Sequence, residues 1–287
     1  MISFTYLEPR NIDEALDLLA RHGEEAKLIA GGTGLVNLMK QRLVHPPYLI
    51  GLRQISRRCG VHYSSGVLRI DAFCTHRDME TFSLVREKVP ILADTFRQVA
   101  NIRIRCVATV GGAIAHADPN QDPLPTLLAL DARVCLRSQR GDREVAVSDF
   151  FTGYYETVME PDELLTAVII PPQPEGSGAA FLKFLPQTHD DYATVAVAAR
   201  VTLDGGRITD ARVALGAVAA TPIHATAVEN ALRGELPTAT VVRDAAALVT
   251  DAVDPTADFR GSVAYKRAMA AVFVQRAVAQ AAARARW

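Results

Sequence analysis

The chain has 287 residues, 49% of them hydrophobic, and its 31 basic and 32 acidic side chains leave a formal net charge of -1. That length supports a sizeable core in two or three compact units, and the balanced charge gives no electrostatic case for nucleic acid or an anionic membrane. Cys59, Cys74, Cys106 and Cys135 show no Cys-x-x-Cys spacing, so neither a zinc site nor an iron–sulfur cluster is written here, and reduced thiols are expected. The segment 1–6 lacks a basic stretch followed by an apolar run, and no apolar run reaches bilayer length. A soluble, cytoplasmic protein without signal peptide or membrane span is therefore expected.

In chain order, Asn11 opens a helix with Glu14 three residues on, a capping-box pattern; Ile12, Ala15, Leu16 and Leu19 make its apolar face and Gly23 ends it. A strand over 27–30 delivers the first paired-glycine stretch, Gly31-Gly32-Thr33-Gly34. A short helical segment over 35–39 and a strand over 48–52 complete a parallel α/β lobe, 1–54.

A second lobe, 55–172, holds a strand over 67–73, a helix over 77–88 capped by Thr75, and a helix from Pro90 to about Ala100. That helix feeds the stretch Thr109-Val110-Gly111-Gly112-Ala113-Ile114-Ala115-His116-Ala117-Asp118-Pro119-Asn120-Gln121-Asp122. Pro123 starts a helix to Leu130, strands over 133–138 and 144–147 pair across Gly141-Asp142, and 164–170 is the lobe's last strand.

Prolines and glycines in Pro171-Pro172-Gln173-Pro174-Glu175-Gly176-Ser177-Gly178 deny both helix and ladder, which makes 173–178 a linker. Beyond it, strands over 180–185, 195–203 and 207–218, the latter two joined at Asp204-Gly205-Gly206, predict a three-stranded antiparallel sheet. Helices over 222–233, 239–250 and 262–284 follow, completing a unit over 179–287.

The two glycine pairs carry the chemistry. Glycine permits φ > 0 and removes the Cβ atoms that keep a ligand from the amides, and successive free N–H groups form an anion-binding concavity. Two such turns face to face would hold the phosphates of a dinucleotide, with Thr33 and Thr109 adding hydroxyls and Asp122 accepting from a ribose or ribityl hydroxyl. The same residues also read as loop punctuation, with Asp122 the N-cap before Pro123 and Asp118 capping the turn. His116 and His76 are the histidines nearest the stretch and lack metal-ligand spacing. In isolation Lys183 reads as a solvated strand residue and Tyr192 as a half-buried aromatic.

Ala30-Gly31-Gly32-Thr33, followed by Thr109-Val110-Gly111-Gly112 and the run from Ala115 to Asp122, resembles the FAD-binding medium subunit of the molybdenum hydroxylases. That is the family of aerobic carbon monoxide dehydrogenase and xanthine dehydrogenase. The resemblance spans essentially the whole chain. It implies an α+β architecture: a two-lobed FAD-binding domain of the vanillyl-alcohol oxidase and p-cresol methylhydroxylase type, then an antiparallel sheet with a helix bundle.

The resemblance further implies that Ala30, Gly31, Gly32, Thr33, Gly34 and Leu35, with Thr109, Gly111, Gly112 and Ala113, cradle the FAD pyrophosphate. Asp122 would hold the sugar-alcohol portion, Lys183 would lie near the cofactor, His116 would bond the flavin or its entrance, and Tyr192 would shield one face of the ring. Relatives often carry Asn where this chain has Ala113. No side chain is assigned as catalytic, because the ring performs the chemistry. The implied partners are a large molybdopterin-binding subunit and a small subunit with two [2Fe–2S] clusters, in a dimer of heterotrimers. The substrate, whether carbon monoxide, an aldehyde, a purine or an N-heteroaromatic ring, belongs to another chain.

Overall fold

The computed structural model describes residues 2–55, 59–188 and 190–285; His189, in the loop before Tyr192, lies outside them. The first helix, Ile12–His22, forms where its cap and apolar spacing place it. The Asn11 side chain accepts from the Glu14 amide, and Gly23 closes the helix at φ 50°. The Glu14 carboxylate reaches back to the Arg10 amide at 2.7 Å. Ala15, Leu16 and Leu19 are buried against a parallel sheet in the order Thr5–Leu7, Tyr48–Gly51, Ala26–Ile29. The outer strand, Thr5–Leu7, is not legible in the sequence because it buries no side chain fully.

The second lobe is an antiparallel five-stranded sheet, Val61–Ser64, Val67–Asp71, Leu164–Ile170, Arg133–Ser138 and Gly141–Ala146 in spatial order. Three expectations need correction here. The helix expected over 77–88 is two, His76–Thr81 and Ser83–Lys88, broken at Phe82 with ψ 125°; the Glu80 carbonyl takes the Arg86 side chain at 2.8 Å. The hairpin turns at Gln139-Arg140, and Gly141 pairs with Ser138. A short helix, Ile102–Arg105, capped by Asn101, precedes the second glycine pair.

Beyond the prolines the sheet has four strands rather than three, Ser177–Phe184, Val195–Asp204, Arg207–Gly216 and Ile223–His224. Ser177 and Gly178, expected in the linker, pair with Thr202 and Val201. Gly205 and Gly206, at φ 52° and 82°, turn the central hairpin. Because Ile223 and His224 pair with Leu215 and Ala214, the next helix is only Thr226–Leu232. Ala239–Ala247 and the long helix Val263–Arg284, capped by Ser262, complete the chain.

The strand Val195–Asp204 is buried on both faces. Ala196 and Ala198 share one core with Leu124, Leu127 and Leu128 of the wholly buried helix Pro123–Ala129. Val195, Val197 and Val201 face Phe273, Val274 and Val278 in another. Cys59 and Cys74, with Cα atoms 4.5 Å apart, are within bridging range and form a disulfide; Cys106 and Cys135 are free. The expectation of four reduced thiols fails for this pair. Among the described residues no helix is long and apolar enough to cross a membrane.

Candidate functional site

The first glycine stretch follows the Ala26–Ile29 strand at the carboxyl end of the parallel sheet, where α/β sheets carry ligand sites. Gly32 has φ 70°, a conformation that favours glycine. A Cβ on Gly31 would lie 2.0 Å from the Val107 carbonyl oxygen, and one on Gly34 would lie 2.5 Å from His116 Nε2. Those two clearances let the first loop press against the segment that carries the second. Among the described residues, no hydrogen bond uses the amides of Gly31, Gly32, Thr33 or Gly34.

The second pair corrects its expectation. Gly111 and Gly112 are not a φ > 0 turn: they lie in the first turn of the helix Val110–His116. Thr109 is the N-cap and its hydroxyl accepts from the Gly112 amide at 3.1 Å. The Val110, Gly111 and Ala113 amides go to the carbonyls of Cys74, Ala72 and Thr109, so this pair offers no row of free amides. Its glycines serve clearance. A Cβ on Gly111 would meet the Ala72 Cβ at 2.5 Å, and one on Gly112 would meet only the Thr109 hydroxyl within 4 Å, at 2.7 Å.

The two stretches line one cleft of about 730 Å³. Its walls include Ala30, Gly31, Gly32, Thr33, Gly34, Leu35, Thr109, Gly111, Gly112, Ala113 and His116. Asp122, Lys183 and Tyr192 are not part of that lining. Asp122 has αR backbone and makes no cap bond to the following helix, which removes the N-cap reading. Instead Lys183 Nζ donates to Asp122 Oδ2 at 2.7 Å and to the Gln98 carbonyl at 3.1 Å. Lys183 is not a solvated strand residue, since its side chain is 1% exposed. Burial pushes the Asp122 carboxyl up to about 6 against the opposing pull of Lys183, and its other oxygen, Oδ1, is buried without a partner.

Asp118 does cap its turn, with Oδ1 accepting from the Asn120 amide and side chain, both at 3.0 Å. Tyr192 is half-exposed, its amide donates to Asp191 Oδ1 at 2.7 Å, and the Arg260 guanidinium lies 5.9 Å from its ring. His116 sits against Gly34 and meets the Tyr155 ring edge-on at 5.2 Å; burial lowers its imidazole below the ordinary value, opposed by Asp118. His76 lines the cleft floor, buried and with neither ring nitrogen partnered, and burial pushes it down to about 4. Phe73 and Tyr155 also line the cleft and were not singled out; a tyrosine in a turn carries no sequence signal beyond surface exposure.

These residues fit an FAD on three counts: a row of unengaged amides at a strand end, glycines whose absent Cβ atoms leave the approach open, and an orphaned buried carboxylate oxygen.

Known proteins share this chain's sequence and fold over its whole length. Residues 2–173 match the family described as FAD binding domain in molybdopterin dehydrogenase, and residues 180–281 match the CO dehydrogenase flavoprotein C-terminal domain. The carbon monoxide dehydrogenase medium chain of Afipia carboxidovorans is 37% identical over 284 residues, 99% of this chain and 98% of that one. The solved carbon monoxide dehydrogenase of Hydrogenophaga pseudoflava that lacks the Mo-pyranopterin moiety superposes with a TM-score of 0.96 at 34% identity, covering 100% of both chains. Quinoline 2-oxidoreductase of Pseudomonas putida 86 superposes with a TM-score of 0.93 at 33% identity, covering 100% of this chain and 99% of that one. With both halves matched and full-length relatives above 30% identity, the chain belongs to the FAD-binding medium subunits of the molybdenum hydroxylases, the carbon monoxide and xanthine dehydrogenase family.

Proposed function

We propose that this subunit passes electrons from two [2Fe–2S] clusters on a small partner chain, through its FAD, to an external acceptor: a quinone, NAD or oxygen. Substrate oxidation would take place at a molybdopterin centre on a large partner chain, in a cytoplasmic dimer of heterotrimers. A bound FAD supplies redox chemistry, and the protein supplies binding, orientation and tuning. The division proposed is 1–172 for the FAD-binding domain and 179–287 for the C-terminal domain, with the connection cut back from 173–178 to 173–176 because Ser177 and Gly178 belong to the C-terminal sheet.

The observation that carries this reading is the row of unengaged amides at 31–34, lining one cleft with the clearance at Gly112. Within it, the 31–34 amides would bind the pyrophosphate, Asp122 would accept a sugar-alcohol hydroxyl through its free Oδ1, Lys183 would hold that carboxylate in place, and Tyr192 would cover one face of the ring. The intact first loop argues against an assembly subunit with a decayed flavin site. A stand-alone flavoprotein oxidase of the same fold is the remaining alternative.

The visible spectrum of the chain, purified alone and with whatever co-purifies, tests the proposal. Acid release of FAD at equimolar ratio, with iron–sulfur absorbance confined to the co-purified sample, is the expected result. A chain that stays colourless and cannot be reconstituted with FAD would overturn it, and substrate turnover by the isolated chain would favour the stand-alone oxidase.

A further inference from the structure

The two glycine stretches of the cleft come from different lobes, and a short path of chain joins them. At one end of that path the Leu52 amide donates to the Ile29 carbonyl at 2.9 Å, immediately before Ala30-Gly31. At the other end the backbone of 72–76 runs against that of 108–111. The Ala72 and Cys74 carbonyls accept from the Gly111 and Val110 amides, both at 2.8 Å, the His76 amide donates to the Ala108 carbonyl at 2.9 Å, and Thr75 bridges Thr109. Ala72 and Phe73 themselves line the cleft. The Cys59–Cys74 disulfide is the covalent tie between the connection that leaves Leu52 and this backbone.

Its two cysteines are not equivalent. Cys74 is fully buried, whereas Cys59 is only partly buried, so Cys59 is the end open to an attacking thiolate and Cys74 the leaving sulfur. Cys74 Sγ lies 3.6 Å from the Gly60 carbonyl oxygen, which gives a protonated Cys74 an acceptor already in place. The Asp71 amide donates to that same carbonyl at 2.9 Å, so Gly60 stays seated when the sulfurs part. The oxidised and reduced forms therefore fit one fold and differ in a single tie across the path.

We propose that Cys59 and Cys74 form a redox-controlled clamp on the cofactor cleft: oxidised, it holds the two glycine stretches together and slows the loss of FAD; reduced, it lets FAD exchange. This rests on the FAD reading above. In a reducing compartment such as the cytoplasm proposed there, a disulfide is ordinarily transient or redox-sensing. The reductant is a dithiol of the Cys-x-x-Cys class. One of its thiolates attacks the Cys59 sulfur, a mixed disulfide forms as the Cys59–Cys74 bond breaks, and Cys74 takes a proton. The second thiol then displaces Cys59, which takes the other proton. The cysteine pair gains two electrons and two protons, and the dithiol becomes a disulfide.

The FAD-loaded complex tests the clamp, with dithiothreitol as the dithiol and oxidised glutathione as the reoxidant. In this chain, alkylation under denaturing conditions should label only Cys106 and Cys135 before reduction and all four cysteines after it. FAD release, followed as free-flavin fluorescence on dilution, should become several-fold faster on reduction and return on reoxidation. Cys59→Ser should show the fast rate with or without dithiothreitol, while Cys106→Ser keeps the parent's response. Four labelled cysteines in the glutathione-treated parent, or one release rate before and after reduction, would overturn the clamp. A parent complex without FAD would overturn the functional reading and the clamp with it, whereas an FAD-bearing complex that ignores reduction fails the clamp alone.

Discussion

Asp122 and Lys183 stand 61 residues apart in the chain and 2.7 Å apart in the fold. Removing both charges from water is costly, and a buried pair of this kind is weak evidence for stability; its free Oδ1 is better explained as a poised acceptor. Two buried groups pull the acid behaviour of the chain in opposite directions. Asp122 titrates at about 6 in the fold against 3.8 ordinarily. Between those values the folded state holds more protons, so this group's contribution falls as pH rises from about 4 to 6. His76 is lowered from 6.5 to about 4, so the unfolded chain holds more protons there and its contribution is lost as pH falls through the same window. Each effect is about 3 kcal/mol and they oppose one another. Burial also lowers His116, and against the pull of burial ion pairs with arginines hold Glu80 and Glu163 below the ordinary value, so denaturant unfolding of the FAD-free chain should show stability falling as pH drops from 6.5 to 4. Asp122→Asn should lose stability toward acid more steeply than the parent, and His76→Phe less steeply; parallel profiles for all three proteins would refute these opposed roles.

At the scale of elements, the two glycine motifs look alike in sequence and do different work. The first ends a parallel strand and leaves its amides free, while the second opens a helix whose amides are engaged. Steric clearance predicts different outcomes for the two. Gly31→Ala drives a Cβ into the Val107 carbonyl, where backbone cannot yield cheaply, so it should cost about 1–3 kcal/mol as overpacking does and also lose FAD. Gly112→Val presses a Cβ against the Thr109 cap hydroxyl at 2.7 Å rather than against backbone, so it should lose FAD at a smaller cost in melting temperature than Gly31→Ala. Thermal melts paired with FAD titration separate these, and full FAD content in Gly112→Val would remove that glycine from the site. The first helix, the strand Leu164–Ile170 and the final helix were legible because periodicity, caps and terminators agree there. Thr5–Leu7 and Ile223–His224 were not, since strands this short are defined by the neighbour they bond.

Across the whole molecule, the proline-rich connection does not separate two independent bodies. The Pro123–Ala129 helix and the Val195–Asp204 strand share one apolar core. Arg200, with its side chain 5% exposed, donates to Gln173 at 2.9 Å and to Asp131 and Asp210 at 3.0 Å. Arg200→Met should cost about 1–3 kcal/mol, less than a fully buried pair, because Asp131 is 42% exposed. Unfolding should remain a single calorimetric transition in both proteins, carried by the common core. Two resolved transitions in the parent chain would show that the halves unfold independently.

The sequence by itself determined the order of the longer helices and strands, the glycine pairs and the family, because caps, turns and periodicity are local and the motifs are contiguous. The tertiary structure alone decided that the second glycine pair is a helix start, that Cys59 meets Cys74, and that Lys183 closes on Asp122. It also brought Tyr155 into the cleft wall beside His116. Each of these depends on which backbone lies alongside another, and residues 15, 39 or 61 positions apart carry no local mark of the neighbour they will meet.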